Sequence, residues 1–297
     1  MSRWPEPLAR AYDACEALAR AHYENFPVAS RLLPRAMRPH VAAVYAFARV
    51  ADDFADEGAV PGPDRRARLA AWQSRLHRAA ASADPGESAT TEDLIFVALG
   101  HSIRALKLPV PLFDDLLSAF GQDTMTSRYA SWRDLLDYCR RSANPIGRLV
   151  LRIAGYDDDR LDRSSDALCT ALQLTNFWQD FGRDWRAGRV YLPQEVQRAS
   201  GAAEADLASG RLTPPWSAAI ARAAAFTRPL FDEGRLVCDG VRGRLAIDLR
   251  LTWLGGARIL ERVEQRRGEL LHDRPALGVG DAPVLVWRAV RWTRVQP

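Results

Sequence analysis

Lysine is almost absent from this chain. Lys107 is the only one, and arginine carries nearly all of the positive charge. Arginine suits bidentate recognition of phosphate oxygens, although a coding bias produces the same ratio. Long apolar runs are absent too: no window reaches about 18 apolar residues, so no membrane-crossing helix is expected. The opening stretch MSRWPEPLAR lacks the apolar core of a signal peptide. No strand-like alternation persists, and no glycine-rich dinucleotide fingerprint follows a strand, which removes support for a nicotinamide site. No Cys/His spacing of the zinc type occurs, and no basic cluster is interleaved with aromatics, so no nucleic-acid partner is expected. The cysteines are few. Cys15, Cys139, Cys169 and Cys238 are scattered through helical segments and read as reduced core thiols in a cytoplasmic protein.

What is present is a helical pattern. At 297 residues and 47% apolar composition the chain can bury a core, and it reads as one all-α domain, 1–297. The net charge of +4 permits an anionic substrate or a membrane surface. Apolar spacing predicts helices over 6–25, 39–57, 64–81, 92–106, 110–127, 132–153, 215–239 and 244–268, with short pieces between Pro193 and Pro215. Pro39 suits a first helical turn, and Gly58 with Pro61-Gly-Pro63 marks a stop. In 64–81, Leu69, Trp72 and Leu76 point inward, and Ser82 to Thr91 reads as a surface loop. Arg31 and Arg35 bracket a turn that suits either a phosphate site or a solvated loop. Pro145 should kink the helix over 132–153, either blandly or at a functional cavity. The stretch 283–297 is basic and amphipathic; it suits a packed terminal helix or peripheral contact with the inner membrane face.

Chemistry concentrates in two stretches. Read as one helix, LQLTNFWQDFGRDWRAGRVYLP from Leu172 to Pro193 puts Gln173, Asn176, Asp180 and Asp184 at i, i+3, i+7 and i+11. At ~100° per residue these fall within a sector of roughly 80°. Leu174, Phe177, Trp178 and Phe181 take the opposite side, as an interior wall. Upstream, Tyr45, Arg49, Asp52 and Asp56 stack at i, i+4, i+7 and i+11. Either stripe alone is equally well a solvated face. Together, each embedded in apolar residues, they suit hard divalent cations, and Mg²⁺ commonly takes one or two carboxylates plus substrate phosphates. Without a cation their mutual repulsion should strain the fold, so losing one carboxylate should leave the melting temperature unchanged or raise it.

These residues carry a resemblance. YAFARVADDFADE, RYASWRDLLDYC and QLTNFWQDFGRDWRAGRVYLP, in this order and spacing, resemble the squalene/phytoene synthase family over His22 to about Pro275. Within it, HYENFPVASRLLP, YCRRSANPIGRLVL and NFWQD are most similar to the hydroxysqualene synthase branch of squalene and hopanoid biosynthesis. The chain departs from the head-to-head condensing members at several places. Tyr23 and Asn25 stand where those have serines, Ser142-Ala-Asn144 replaces Val-Ala-Gly, Gln179 replaces an arginine and Arg183 a glutamate.

The resemblance implies an all-α class I isoprenoid synthase bundle with a central cavity. It implies a Mg²⁺-dependent lyase that takes preformed presqualene diphosphate, supplied by an upstream synthase as a possible partner, and releases hydroxysqualene. Metal ligands would be Asp52, Asp56, Asn176, Asp180 and Asp184; diphosphate would meet Arg49, Arg189, Tyr191 and Gln173. Tyr45, Tyr138 and Asn144 join the four aspartates as catalytic candidates, and Phe26, Phe47, Ser142, Ala143, Gly147 and Phe177 would line the cavity. Asn144 is the favoured holder of the attacking water. Two other readings stand beside this one: condensation to presqualene diphosphate or phytoene, and a non-catalytic assembly protein, which would be expected to lose its acidic pairs.

Overall fold

A computed structural model describes residues 4–21, 32–56, 60–82 and 90–293. Phe26, Tyr23, Asn25, Arg31 and most of the loop expected at 82–91 lie outside the described residues. Those described are all-α; the only bridge between extended segments among them joins Arg128 and Val190. By contacts the chain divides into two compact units, residues 1–125 with 145–158 and residues 126–144 with 159–297.

The first unit holds α1 (Glu6–Ala21), α2 (Arg38–Asp56), α3 (Gly62–Ala81), α4 (Thr91–Leu106) and α5 (Val110–Asp123), with α7 (Asn144–Ile153) almost entirely in it. Local chemistry sets several ends. Thr90 and Asp93 form a reciprocal capping box at the start of α4, and prolines sit in the first turns of α3 and α5. Helix α4 ends on exposed Lys107, in the left-handed conformation at φ 52°. Leu69, Trp72 and Leu76 are buried as expected, and Trp72 packs with Phe47, Phe96 and Phe54. Helix α1 docks through Tyr12, whose hydroxyl lies 2.8 Å from His101 Nδ1, 2.9 Å from Ser102 Oγ and 3.1 Å from His40 Nδ1. Burial pushes the Tyr12 phenol up to about 12 and lowers the His101 imidazole, so both stay neutral at pH 7.

The second unit is built on α8 (Asp159–Gln179) packed along α12 (Pro214–Gly240), with α13 (Gly243–Gln265) beside both. The backbones of α8 and α12 meet closely because residue 234 is glycine: a Cβ there would stand 2.7 Å from the Leu168 backbone. Trp178 at the heart of this contact donates its indole N–H to Thr227 Oγ1 at 2.9 Å. Around it lie α6 (Trp132–Ser142), α9 (Phe181–Arg186), α10 (Gln194–Ser200), α11 (Glu204–Ala208) and α14 (Asp281–Val290). A capping box of Ser131 and Asp134 starts α6.

Two expected helices differ. The stretch 132–153 is two helices, not one kinked helix: α6 ends at Ser142 and α7 opens at Asn144, with Ala143 at φ −115° between them. Pro145 has no N–H to continue the ladder and restricts the residue before it, but it sits comfortably in the first turn of a new helix. The helix over 172–193 is also divided. Asp180, at φ −90° and ψ 11°, separates α8 from α9, and the chain leaves helix after Arg186.

Candidate active site

In the first unit, α2 runs unbroken through Asp56, so Tyr45, Arg49, Asp52 and Asp56 keep the spacing of one face. Arg49 stands 3.5 Å from the Asp52 carboxylate and also pairs with Asp53, which the stripe did not include. Asp56 is exposed and Asp52 half-buried. Burial raises the pKa of Tyr45, with Arg49 opposing and Asp52 and Asp53 adding to the shift, so the phenol keeps its proton. Phe47 does not face open space: it is fully buried, edge-on to Phe113 at 5.5 Å and near-parallel to Trp72 at 5.9 Å. A residue on the inner side of α2 follows from its two-position offset from Tyr45.

In the second unit the break at Asp180 does not scatter its neighbours. The backbone ladder continues across it, with Asp180 N bonded to Asn176 O at 2.8 Å and Asp184 N to Asp180 O at 2.9 Å. Asn176, Asp180 and Asp184 therefore still follow one another a turn apart. Asn176 Nδ2 donates to Asp180 Oδ2 at 2.6 Å. Arg183 Nη1 lies 3.8 Å from Asp180, and Arg274 grips both Asp180 oxygens, its Nη2 at 3.2 Å. Arg274 was missed by sequence reasoning; it lies 94 residues away, in an irregular stretch with no periodicity to flag it.

That stretch is fastened to α9. Gln179 Nε2 donates to Pro275 O at 2.6 Å, and Arg186 Nη1 to Leu271 O at 3.1 Å. Gly182 permits the approach, since a Cβ there would come within 2.8 Å of Leu270 O and 2.7 Å of Leu271 C. Gln179 thus serves as a tie to this segment. Gln173 and Arg189 are half-buried; Arg189 N bonds Asp184 O at 2.7 Å.

Four rings gather beside this acidic run. Phe177 stacks on Tyr191 at 3.8 Å and 8°, Tyr129 lies 5.8 Å beyond Tyr191, and Tyr138 stands 5.6 to 6.3 Å from all three. All four are buried, and Phe177 and Tyr191 each present one face to the other. From the sequence, Tyr138 was expected to be catalytic, Phe177 to line the cavity and Tyr191 to meet diphosphate; the structure brings the three rings together. Tyr129 was not, although its place in RYASWRDLLDYC was a usable signal.

At the end of α6 the two polar groups differ in their partners. Asn144 is buried and its Oδ1 accepts from Thr170 Oγ1 at 3.0 Å. Ser142 Oγ is buried with no hydrogen-bond partner in the protein. A buried hydroxyl in that condition is costly unless water meets it. Ala143 is half-buried between the helices, and Gly147 lies in α7.

The donor sets fit a hard divalent cation in chemistry: Asp52 with Asp56, and Asp180 and Asp184 with the Asn176 amide, all offer oxygen. Each set supplies two carboxylates, and among the described residues no group of three or more His, Cys, Asp or Glu forms a ready-made metal site.

The family model described as Squalene/phytoene synthase matches residues 19–281. The chain is 41% identical to the hydroxysqualene synthase of Zymomonas mobilis over 209 residues, 70% of this chain and 67% of that protein. It is 32% identical to the hydroxysqualene synthase of Rhodopseudomonas palustris over 259 residues, 85% of this chain and 84% of the relative. Among solved structures, squalene synthase HpnC from Alicyclobacillus acidocaldarius superposes with a TM-score of 0.80 at 42% identity, covering 89% of this chain and 97% of that one.

Proposed function

This chain belongs to the squalene/phytoene synthase family, and on that premise we propose that it converts presqualene diphosphate and water to hydroxysqualene and diphosphate. The observation that carries the reading is the charge of the second acidic run. Asp180 and Asp184 stand with two guanidiniums, Arg183 and Arg274, in place of a further carboxylate. A run so balanced suits one diphosphate, as a preformed substrate presents, better than the two diphosphates of a condensation.

Mg²⁺ held by Asp52, Asp56, Asn176, Asp180 and Asp184 would supply charge neutralisation on the leaving diphosphate. Arg49 and Arg189 would donate hydrogen bonds to its oxygens. The carbon–oxygen bond to diphosphate breaks, and the electron pair leaves with the phosphate oxygen. The cyclopropylcarbinyl cation left behind lies against the rings of Tyr129, Tyr138, Phe177 and Tyr191 and rearranges, a carbon–carbon bond of its three-membered ring breaking so that the chain is open once water has added. A water beside Ser142 Oγ forms the new carbon–oxygen bond and gives its extra proton to the departing diphosphate. No electrons are gained or lost, so no hydride donor enters.

The assay is purified protein with Mg²⁺ and presqualene diphosphate, without NADPH, read by mass spectrometry. Hydroxysqualene is the expected product, and farnesyl diphosphate alone should give none. Presqualene diphosphate or phytoene formed from prenyl diphosphates would instead establish the condensing reaction. Loss of turnover at both substrates with full folding would favour an assembly role, which the retained acidic pairs speak against.

The water position has its own test. Ser142→Val should still consume presqualene diphosphate, while its products shift from hydroxysqualene toward eliminated hydrocarbons by roughly tenfold in ratio, about 1.4 kcal/mol of lost discrimination. An unchanged ratio places the water elsewhere. Asn144 is the less informative target, because its replacement also breaks the bond to Thr170.

A further inference from the structure

Apolar exposure among the described residues is concentrated in one place. Eight large hydrophobic side chains are exposed among the described residues, and six of them lie between 277 and 290: Leu277, Val279, Val284, Val286, Trp287 and Val290. Val279 is 95% exposed, Val290 68% and Trp287 58%. Scattered singly, such residues need no explanation; here four lie on one short helix and two in the segment just before it, a patch of the kind that monomeric soluble proteins avoid.

The helix is α14, and its inner side is already used. Leu285 and Ala289 are buried against Leu254, with Leu251, Trp253 and Trp292 around them. Trp292 bonds Asp239 Oδ1 at 2.7 Å and lies beneath Arg235 at 4.0 Å. At ~100° per residue, Trp287 points nearly opposite that buried seam, flanked by Pro283 and Val290 on one side and Val284 on the other. Arg288 and Arg291 follow on the Val284 side; both are exposed, and Arg291 lies over the Trp287 ring at 5.5 Å. No acidic residue shares this face. Asp281, at the start of the helix, is turned to Arg262 at 2.7 Å.

We propose that the outer face of α14 docks the protein on an anionic lipid bilayer. The two arginines match the charge of acidic headgroups, and the tryptophan at the apex matches the polar–apolar boundary. Self-association suits this face poorly, since a second copy would bring arginine against arginine with no carboxylate between. Helix α14 lies on the membrane and does not cross it: no helix among the described residues is long and apolar enough to do so. The inference goes beyond the proposed reaction, which adds only a reason for it, an apolar product with little solubility in water.

Sedimentation of the full chain with vesicles tests this without substrate, so its outcome is independent of the turnover assay. Vesicles of mixed phosphatidylcholine and phosphatidylglycerol should bind the protein, and high salt or pure phosphatidylcholine should release most of it. Trp287→Ser combined with Val290→Ser should lower partitioning roughly tenfold or more, and Arg288→Gln with Arg291→Gln should abolish the salt dependence. Trp287→Phe should bind normally but lose most of the blue shift in tryptophan emission. These side chains are exposed, so melting should be unchanged and serves as the folding control. The inference is overturned if the wild type fails to bind, if the serine pair binds equally well, or if the protein in solution is a dimer that shields Trp287.

Discussion

Asp52→Asn and Asp180→Asn should each lower turnover of presqualene diphosphate by about a thousandfold or more, roughly 4 kcal/mol of transition-state stabilisation. Asparagine keeps the size of the side chain and one oxygen but removes the negative charge that a divalent cation needs. Stability should respond far less. The repulsion expected from the sequence is compensated in the structure, by Arg49 at Asp52 and by Arg274 at Asp180. Removing either carboxylate therefore deletes an ion pair, at a cost of about 1 kcal/mol or less at these partly exposed positions, and melting should fall slightly instead of rising. Steady-state kinetics and a thermal melt on the same preparations check both halves. A variant that keeps more than about a tenth of its turnover per folded molecule would remove that aspartate from the chemistry.

Gly182→Ala should be the most damaging single methyl group in the second unit. Its Cβ would press on the carbonyl groups of Leu270 and Leu271, which are backbone and cannot rotate away. Overpacking of this kind costs about 1–3 kcal/mol, and more where neither side yields. Relief requires the 270–275 segment to lift from α9, which pulls Pro275 O from Gln179, Leu271 O from Arg186 and Arg274 from Asp180. Stability and turnover should then fall together, and the 270–275 segment should become sensitive to trypsin. Denaturant melts, kinetics and a proteolysis time course measure the three effects. A variant with wild-type melting and wild-type turnover would show that the segment is not what holds Asp180.

Helix positions were largely legible because apolar spacing and end signals agree in this chain. The inward set Leu69, Trp72 and Leu76 and the wall of Leu174, Phe177, Trp178 and Phe181 are all buried where their spacing puts them. Breaks were harder to see. Pro145 announced a disturbance but not whether the helix bends or ends, and nothing in the local pattern of 172–193 marks Asp180 as a turn. The acidic stripes were legible because they are local and periodic. Their partners were not: Arg274 reaches Asp180 from a segment without regular structure, and Asp53 competes for Arg49 from a position just off the stripe. The tie from Asn144 to Thr170 is likewise a long-range fact, and with the unpartnered Ser142 Oγ it is the ground on which we propose Ser142 as the water holder.

The near-absence of lysine meets the fold at one point. Lys107 is exposed at the left-handed end of α4, outside both acidic runs and outside the α14 face. A reagent selective for side-chain amines therefore has a single address on this protein. A fluorophore or surface tether attached there would give a uniform, singly derivatised population without any engineered cysteine. Three of the four thiols are buried as well, and burial pushes Cys15 and Cys238 up to about 12 and raises Cys139, while Cys169 is half-buried.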